Sequence, residues 1–315
     1  MSSSEMWITS RAPASTANLG PGFDSLGMAL PLFTTIHMRR SPQTSVSLKG
    51  PELSGLPANA DNLVIKILQE LFSLRQLPAP SVEVVVESDI PLTRGLGSSA
   101  AAIVAALLAG NELLRESGAA FSRDELFQIA TRIEGHPDNV AASLYGGFVV
   151  TVLDGQQAYC QKLLPPPSLY VTVAVPVFPL PTEKARHVLP NTYSRQDAVF
   201  NLSRAALLVA ALATGSLEMI RHAMQDRLHQ PYRIPLIPGM EAILAHGHEY
   251  GALGCALSGA GPSVLALSDG EKPELGEFMR QAFLQRGIEA HIYTFRPWPD
   301  GAEVKRVEMM EGSIR

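Results

Sequence analysis

Pro91-Leu92-Thr93-Arg94-Gly95-Leu96-Gly97-Ser98-Ser99-Ala100-Ala101 stands between an extended, β-branched run and a long apolar one. Before it, Val82-Glu-Val-Val-Val86 reads as a strand bounded by Pro80 and Pro91. After it, Ser98 to Leu114 is mostly Ala, Leu, Ile and Val. Such a helix is apolar on almost every side and belongs in the middle of a domain. Gly95 and Gly97 permit positive φ and close approach of a ligand to the backbone. Ser98 and Ser99 then fall where a helix's first N–H groups lack partners and its dipole is positive. That arrangement cradles phosphate, and hydroxyls beside it suit Mg²⁺. A tight turn with a serine N-cap accounts for the same residues.

Two familiar phosphate loops do not fit. No lysine follows the last glycine, so G-x-x-x-x-G-K-[ST] is absent. G-x-G-x-x-A, the weak dinucleotide fingerprint, is present, but it needs an acid about 20 positions on at the end of a second strand. Here the nearest acids, Glu112 and Glu116, end the same helix.

Working outward, 315 residues correspond to two domains at about 150 residues each. With 46% hydrophobic and 17% charged residues, the chain is not mainly disordered. A net charge of −5 disfavours a nucleic-acid partner. Cys160 and Cys255 alone provide neither a disulfide framework nor a zinc cluster. The longest apolar run, Ala100 to Ala109, is shorter than the roughly 18 residues a membrane span needs. Met1-Ser-Ser-Ser-Glu-Met-Trp lacks the basic and apolar regions of a signal peptide. The expectation is a cytoplasmic enzyme or small-molecule binder without a membrane partner.

Asp61 is placed to cap a helix with Leu63, Val64, Ile67, Leu68 and Leu71 on one face. Ser122-Arg-Asp-Glu125 is a capping box for a helix to about Ile133, and Phe148 to Val152 reads as a buried strand. Pro165-Pro166-Pro167 suits neither a helix interior nor a central strand and marks the boundary between units 1–164 and 165–315. Beyond it come a strand (Tyr170 to Val175), a helix-rich stretch to about His248, and short strands near Ala256 and Val264. A helix (Pro273 to Gln285) and a strand (His291 to Phe295) follow. This mixture predicts two α+β domains.

Three further segments carry polar groups among glycines and prolines. Ala12 to Gly27 reads as a long loop after a strand, with Asn18 and Asp24 available to grip a polar ligand. Glu134-Gly135-His136-Pro137-Asp138-Asn139 sets four polar side chains in six residues, though His136 also suits a structural role and Asp138-Asn139 a helix cap. Leu257-Ser258-Gly259-Ala260-Gly261-Pro262-Ser263 reads as a hairpin turn.

Taken together, the loops at 12–27, 91–101 and 257–263 resemble the three motifs of the GHMP kinases, in order and spread over most of the chain. P-A-S-T-A-N-L-G-P-G-F-D, E-G-H-P-D-N and the arginine-bearing stretches around Arg186 and Arg233 resemble the homoserine-kinase branch. The resemblance implies a ribosomal protein S5 domain 2-like N-terminal domain and a ferredoxin-like C-terminal domain, with ATP in the cleft between them. By resemblance, Pro91 to Ala101 bind the nucleotide with its phosphates on Gly95 to Ala101, Asn62 lies near it, and Ser99 and Glu134 hold Mg²⁺. Ser258 to Gly261 support the phosphate loop.

The implied substrate is L-homoserine, met by Asn18, Asp24, His136, Asn139, Arg186 and Arg233. Asp24 suits its ammonium, the arginine forks suit its carboxylate, and Asn18 and Asn139 suit its hydroxyl. Asp138 is the one side chain offered as a base, although phosphoryl transfer through a loose transition state can proceed without one. A kinase for another small alcohol, a nucleotide-binding regulator on the same fold, and a homodimer stay open.

Overall fold

The structure, a computed structural model, describes residues 4–310; Met1, Ser2 and Ser3 of the N-terminal run read above lie outside the described residues. The first unit opens with β1 (Ser4–Asn18), β2 (Gly22–Arg40) and β3 (Ser45–Lys49), followed by α1 (Leu63–Leu74) and β4 (Val82–Ser88). Helices α2 (Ser98–Arg115), α3 (Arg123–Glu134) and α4 (Pro137–Tyr145) precede the hairpin β5 (Phe148–Asp154) and β6 (Gln157–Leu163). Next come β7 (Leu169–Pro176), α5 (Thr182–His187), α6 (Arg195–Thr214), α7 (Ile220–Ala223), α8 (Gln230–Arg233) and α9 (Met240–His246). The chain ends on β8 (Gly254–Leu257), β9 (Val264–Asp269), α10 (Pro273–Leu284), β10 (Ala290–Phe295) and β11 (Glu303–Met310).

Two sheets result. The first runs β11-β1-β2-β4-β3, with β5 paired to β2 and β6 paired to β5. The second runs β10-β7-β9-β8 with every pair antiparallel. Numbered within its own unit that order is 4-1-3-2, the ferredoxin-like arrangement of βαββαβ. Pro165, Pro166 and Pro167 lie between β6 of the first sheet and β7 of the second. β11 returns from the far end of the chain and pairs antiparallel with β1. The second unit therefore does not keep its last strand.

Burial explains the central helix. Thirteen residues of α2 are buried, and it packs against β1, β2, α1, α3 and α4. A Cβ on Gly110 would lie 3.1 Å from Leu68 and Leu71, so the glycine sets how closely α1 and α2 cross. α1 is capped by Asn62, not by Asp61: Asn62 Oδ1 accepts from the Val64 N–H at 2.9 Å. Asp61 is instead exposed and pairs with Lys66. Both residue types cap equally well, so the sequence cannot choose between neighbours. The capping box at α3 forms as read, with the Ser122 side chain accepting from Glu125 N and the Glu125 carboxylate from Ser122 N.

The stretch 12–27 is not a loop. β1 continues to Asn18 and β2 begins at Gly22, with register shifts at Pro13/Ala14 and Ala17/Asn18. Small residues and glycines hid the alternation that identifies strands. Among the described residues α6 alone is long and apolar enough to cross a membrane. Its alanines and interspersed charges escape a search for uninterrupted apolar runs.

Candidate active site

The site lies between the two units. One wall is the β1–β2 turn and the α2 and α4 N-termini; the other is α5, α8 and the β8–β9 turn.

The turn that leads into α2 is built from glycines with no room for side chains. Gly97 is the N-cap of α2 at φ 64°, and no side chain caps the helix. The N–H groups of the first turn are therefore left for a ligand, and the serine-cap alternative falls. A Cβ on Gly97 would come 2.0 Å from Ser15 Oγ, and one on Gly95 (φ 77°) 2.3 Å from the Ser258 carbonyl. Ser258 Oγ donates to Gly95 O at 2.6 Å and accepts from the Thr16 hydroxyl at 2.8 Å. The β8–β9 turn thus braces the Gly95–Gly97 turn. Thr93, Gly95, Gly97, Ser98 and Ser99 line the cleft. Leu96, Ala100 and Ala101 are buried in the core, and Arg94 bonds back to the carbonyls of Leu92 and Val177.

Ser99 and Glu134 meet across α2 and α3, with Ser99 Oγ donating to Glu134 Oε2 at 2.8 Å. Burial pushes the Glu134 carboxyl up from its ordinary pKa, while His136 and the Ser99 hydroxyl hold it down. A hydroxyl beside an under-compensated carboxylate is a donor set that fits Mg²⁺ with phosphate and water completing the shell. Among the described residues no group of three His, Cys, Asp or Glu side chains could hold a metal by itself.

Asn139 is oriented by Ser15, whose Oγ donates to its Oδ1 at 2.9 Å, which leaves Nδ2 for the cleft. Asp138 Oδ1 accepts from the Asn139 N–H and faces His136 Nδ1, both at 2.7 Å. Burial works to lower the His136 pKa, but the Asp138 hydrogen bond and the charges of Asp138, Glu134 and Asp24 outweigh it and raise the value.

Asn18 is more committed than the sequence indicated. Its Nδ2 donates to Gly259 O at 2.8 Å and its Oδ1 accepts from Asp24 N at 3.0 Å. Asn18 (φ 70°) and Asp24 (φ 53°) both hold left-handed backbone, which asparagine and aspartate tolerate best after glycine.

Asp24 and Arg186 already hold each other, with Nη1 to Oδ2 and Nη2 to Oδ1 both at 2.9 Å. Arg233 is fully buried; its Nε donates to Ala185 O and its Nη1 to Gly259 O. Burial, then the nearby Arg186 cation, lowers Arg233 to about 10, so it stays charged at neutral pH. Phe23 lies close to both guanidinium carbons, at 5.6 Å from Arg186 and 5.4 Å from Arg233. Asn62 lies outside the cleft lining, its amide spent on the cap and on Pro57 O. The cleft-lining Phe23, Leu180 and Thr182, and Ser15 behind Asn139, were given no site role; Phe23 and Ser15 lie inside the quoted P-A-S-T-A-N-L-G-P-G-F-D motif and Thr182 in the stretch around Arg186, whereas Leu180 carried no signal.

Residues 62–147 match the model of the GHMP kinases N terminal domain, and residues 208–285 that of the GHMP kinases C terminal domain. Over 297 residues the chain is 48% identical to a homoserine kinase of Deinococcus radiodurans, covering 94% of this chain and 96% of that one. The chain belongs to the homoserine kinases of the GHMP kinase family. A homoserine kinase of Moorella thermoacetica is 43% identical over 93% of this chain and 98% of its own. A crystal structure of homoserine kinase from Cytophaga hutchinsonii superposes with a TM-score of 0.85 at 32% identity, covering 95% and 97% of the two chains. For this kinase family the cleft supplies an uncapped helix terminus on one wall and paired guanidinium groups on the other.

Proposed function

We propose that this kinase transfers the γ-phosphoryl group of ATP to the side-chain hydroxyl of L-homoserine, giving O-phospho-L-homoserine. The observation that carries the reading is the uncapped N-terminus of α2 facing, across one cleft, an Asp24–Arg186–Arg233 cluster. The first end suits a polyphosphate and the second an amino-acid zwitterion.

Ser98, Ser99 and the glycine backbone bind the phosphates. Mg²⁺ held by Ser99 and Glu134 would neutralise charge on the transferring group. Asn139 Nδ2 orients the substrate hydroxyl, with Asn18 fixing the turn that carries Asp24. Asp24 takes the ammonium, and Arg186 and Arg233 take the carboxylate. His136, held by Asp138, lines the cleft and meets the substrate. Asp138 spends its Oδ1 on His136 and the Asn139 N–H, which supports transfer without a dedicated side-chain base. Positioning and charge stabilisation suffice for a loose transition state.

An ADP-release assay with L-homoserine, mevalonate, galactose and shikimate tests the reading. L-Homoserine should give by far the highest kcat/KM; preference for another alcohol overturns it.

A further inference from the structure

His229 belongs to none of the substrate-facing groups, yet it is fully buried and joins both walls of the cleft. Its Nε2 lies 2.7 Å from the carbonyl of Gly20, which can only accept, so Nε2 carries the proton. Nδ1 is then an acceptor, and it faces Arg233 Nη1 at 3.2 Å. The ring also stacks on Phe23, centroids 5.2 Å apart and 29° between planes. Its backbone is fixed as firmly: the Asp226 carboxylate accepts from the N–H groups of Leu228, His229 and Gln230 and from Asn201 Nδ2.

With Nε on Ala185 O and Nη1 shared between His229 and Gly259 O, the Arg233 fork has one orientation. Nη2 has no protein acceptor among the described residues, and Arg233 lines the cleft. We infer that His229 is a positioning residue that aims Arg233 at the substrate carboxylate and ties that aim to the β1–β2 turn through Gly20. The inference rests on the proposed contact between Arg233 and substrate.

Glutamine at 229 extends an amide to the Nε2 position and can keep the Gly20 bond while losing the acceptor for Arg233. Asparagine places its amide at the Nδ1 position and keeps that acceptor. Steady-state kinetics of His229→Gln should show the KM for homoserine raised about tenfold, the scale of a hydrogen bond to a charged group. The KM for ATP should not move. His229→Asn should recover most of that loss, and His229→Gln on top of Arg233→Ala should add nothing. If both variants raise both KM values alike, or only lower Tm, His229 serves folding and the inference is overturned. Were Arg233→Ala to raise the homoserine KM while His229→Gln left it unchanged, this inference alone would fall. An unchanged homoserine KM in Arg233→Ala would remove the substrate role of Arg233 itself.

Discussion

At the scale of single residues, identity was easier to read than commitment. Ser99 and Glu134, 35 positions apart, were paired through the family resemblance, and they meet at 2.8 Å. Arg233 was legible as a cation, but its complete burial depends on Ala185, His229 and Gly259, scattered over 75 positions of sequence. Asn18 shows the same limit, since its Nδ2 is spent on the Gly259 carbonyl, 241 positions away. Glu134→Gln removes a charge from the proposed metal shell with little change of shape. Its kcat should fall by two orders of magnitude or more, on the scale of losing one oriented electrostatic group. Ser99→Ala should act in the same direction. Near-normal turnover of Glu134→Gln at saturating Mg²⁺ would remove the metal role.

Among elements, those with a strong local signal agreed with the sequence and those without it did not. α3 carries a complete capping box and begins one residue after its Ser122 cap. β1 and β2 carry bulges, glycines and left-handed residues at their junction, so periodicity failed where the site is built. The contrast yields paired expectations. Ser122→Ala should cost about 1 kcal/mol of stability and leave kcat/KM unchanged, because the cap lies outside the cleft lining. Gly97→Ala should do the reverse in activity: its Cβ would meet Ser15 Oγ at 2.0 Å, the hydroxyl that orients Asn139. Activity should fall at least a hundredfold with cooperative melting retained. Thermal melts beside kinetics on both variants check this, and full activity in Gly97→Ala would mean the cradle is not where phosphate sits.

For the whole molecule, the two sheets are joined by β11 returning to β1, by bonds such as Asn18 to Gly259 and Ser258 to Gly95, and by Asp24 meeting Arg186 across the cleft. The order of strands was legible only through the resemblance, because nothing local to Glu303–Met310 says which sheet it joins. The Asp24–Arg186 pair has side chains about a third exposed. Solvent screening therefore limits its stabilising effect to about 1 kcal/mol or less. Its larger consequence is selectivity. A ligand that brings only an ammonium to Asp24 leaves Arg186 without a partner, and one that brings only a carboxylate strands Asp24. A zwitterion replaces both charges at once, so L-homoserine should exceed the sum of its two halves. 4-Hydroxybutanoate lacks the ammonium and 3-aminopropan-1-ol lacks the carboxylate. Asp24→Asn should raise the KM for homoserine by a cost of about 1.5–3 kcal/mol and barely affect 4-hydroxybutanoate. Arg186→Lys should damage homoserine nearly as much, because an ammonium cannot reproduce the fork, yet leave 3-aminopropan-1-ol almost indifferent. Tm should move by only a degree or two in either variant. Equal losses on homoserine and on the matched half-substrate would mean that the pair only holds the two walls together.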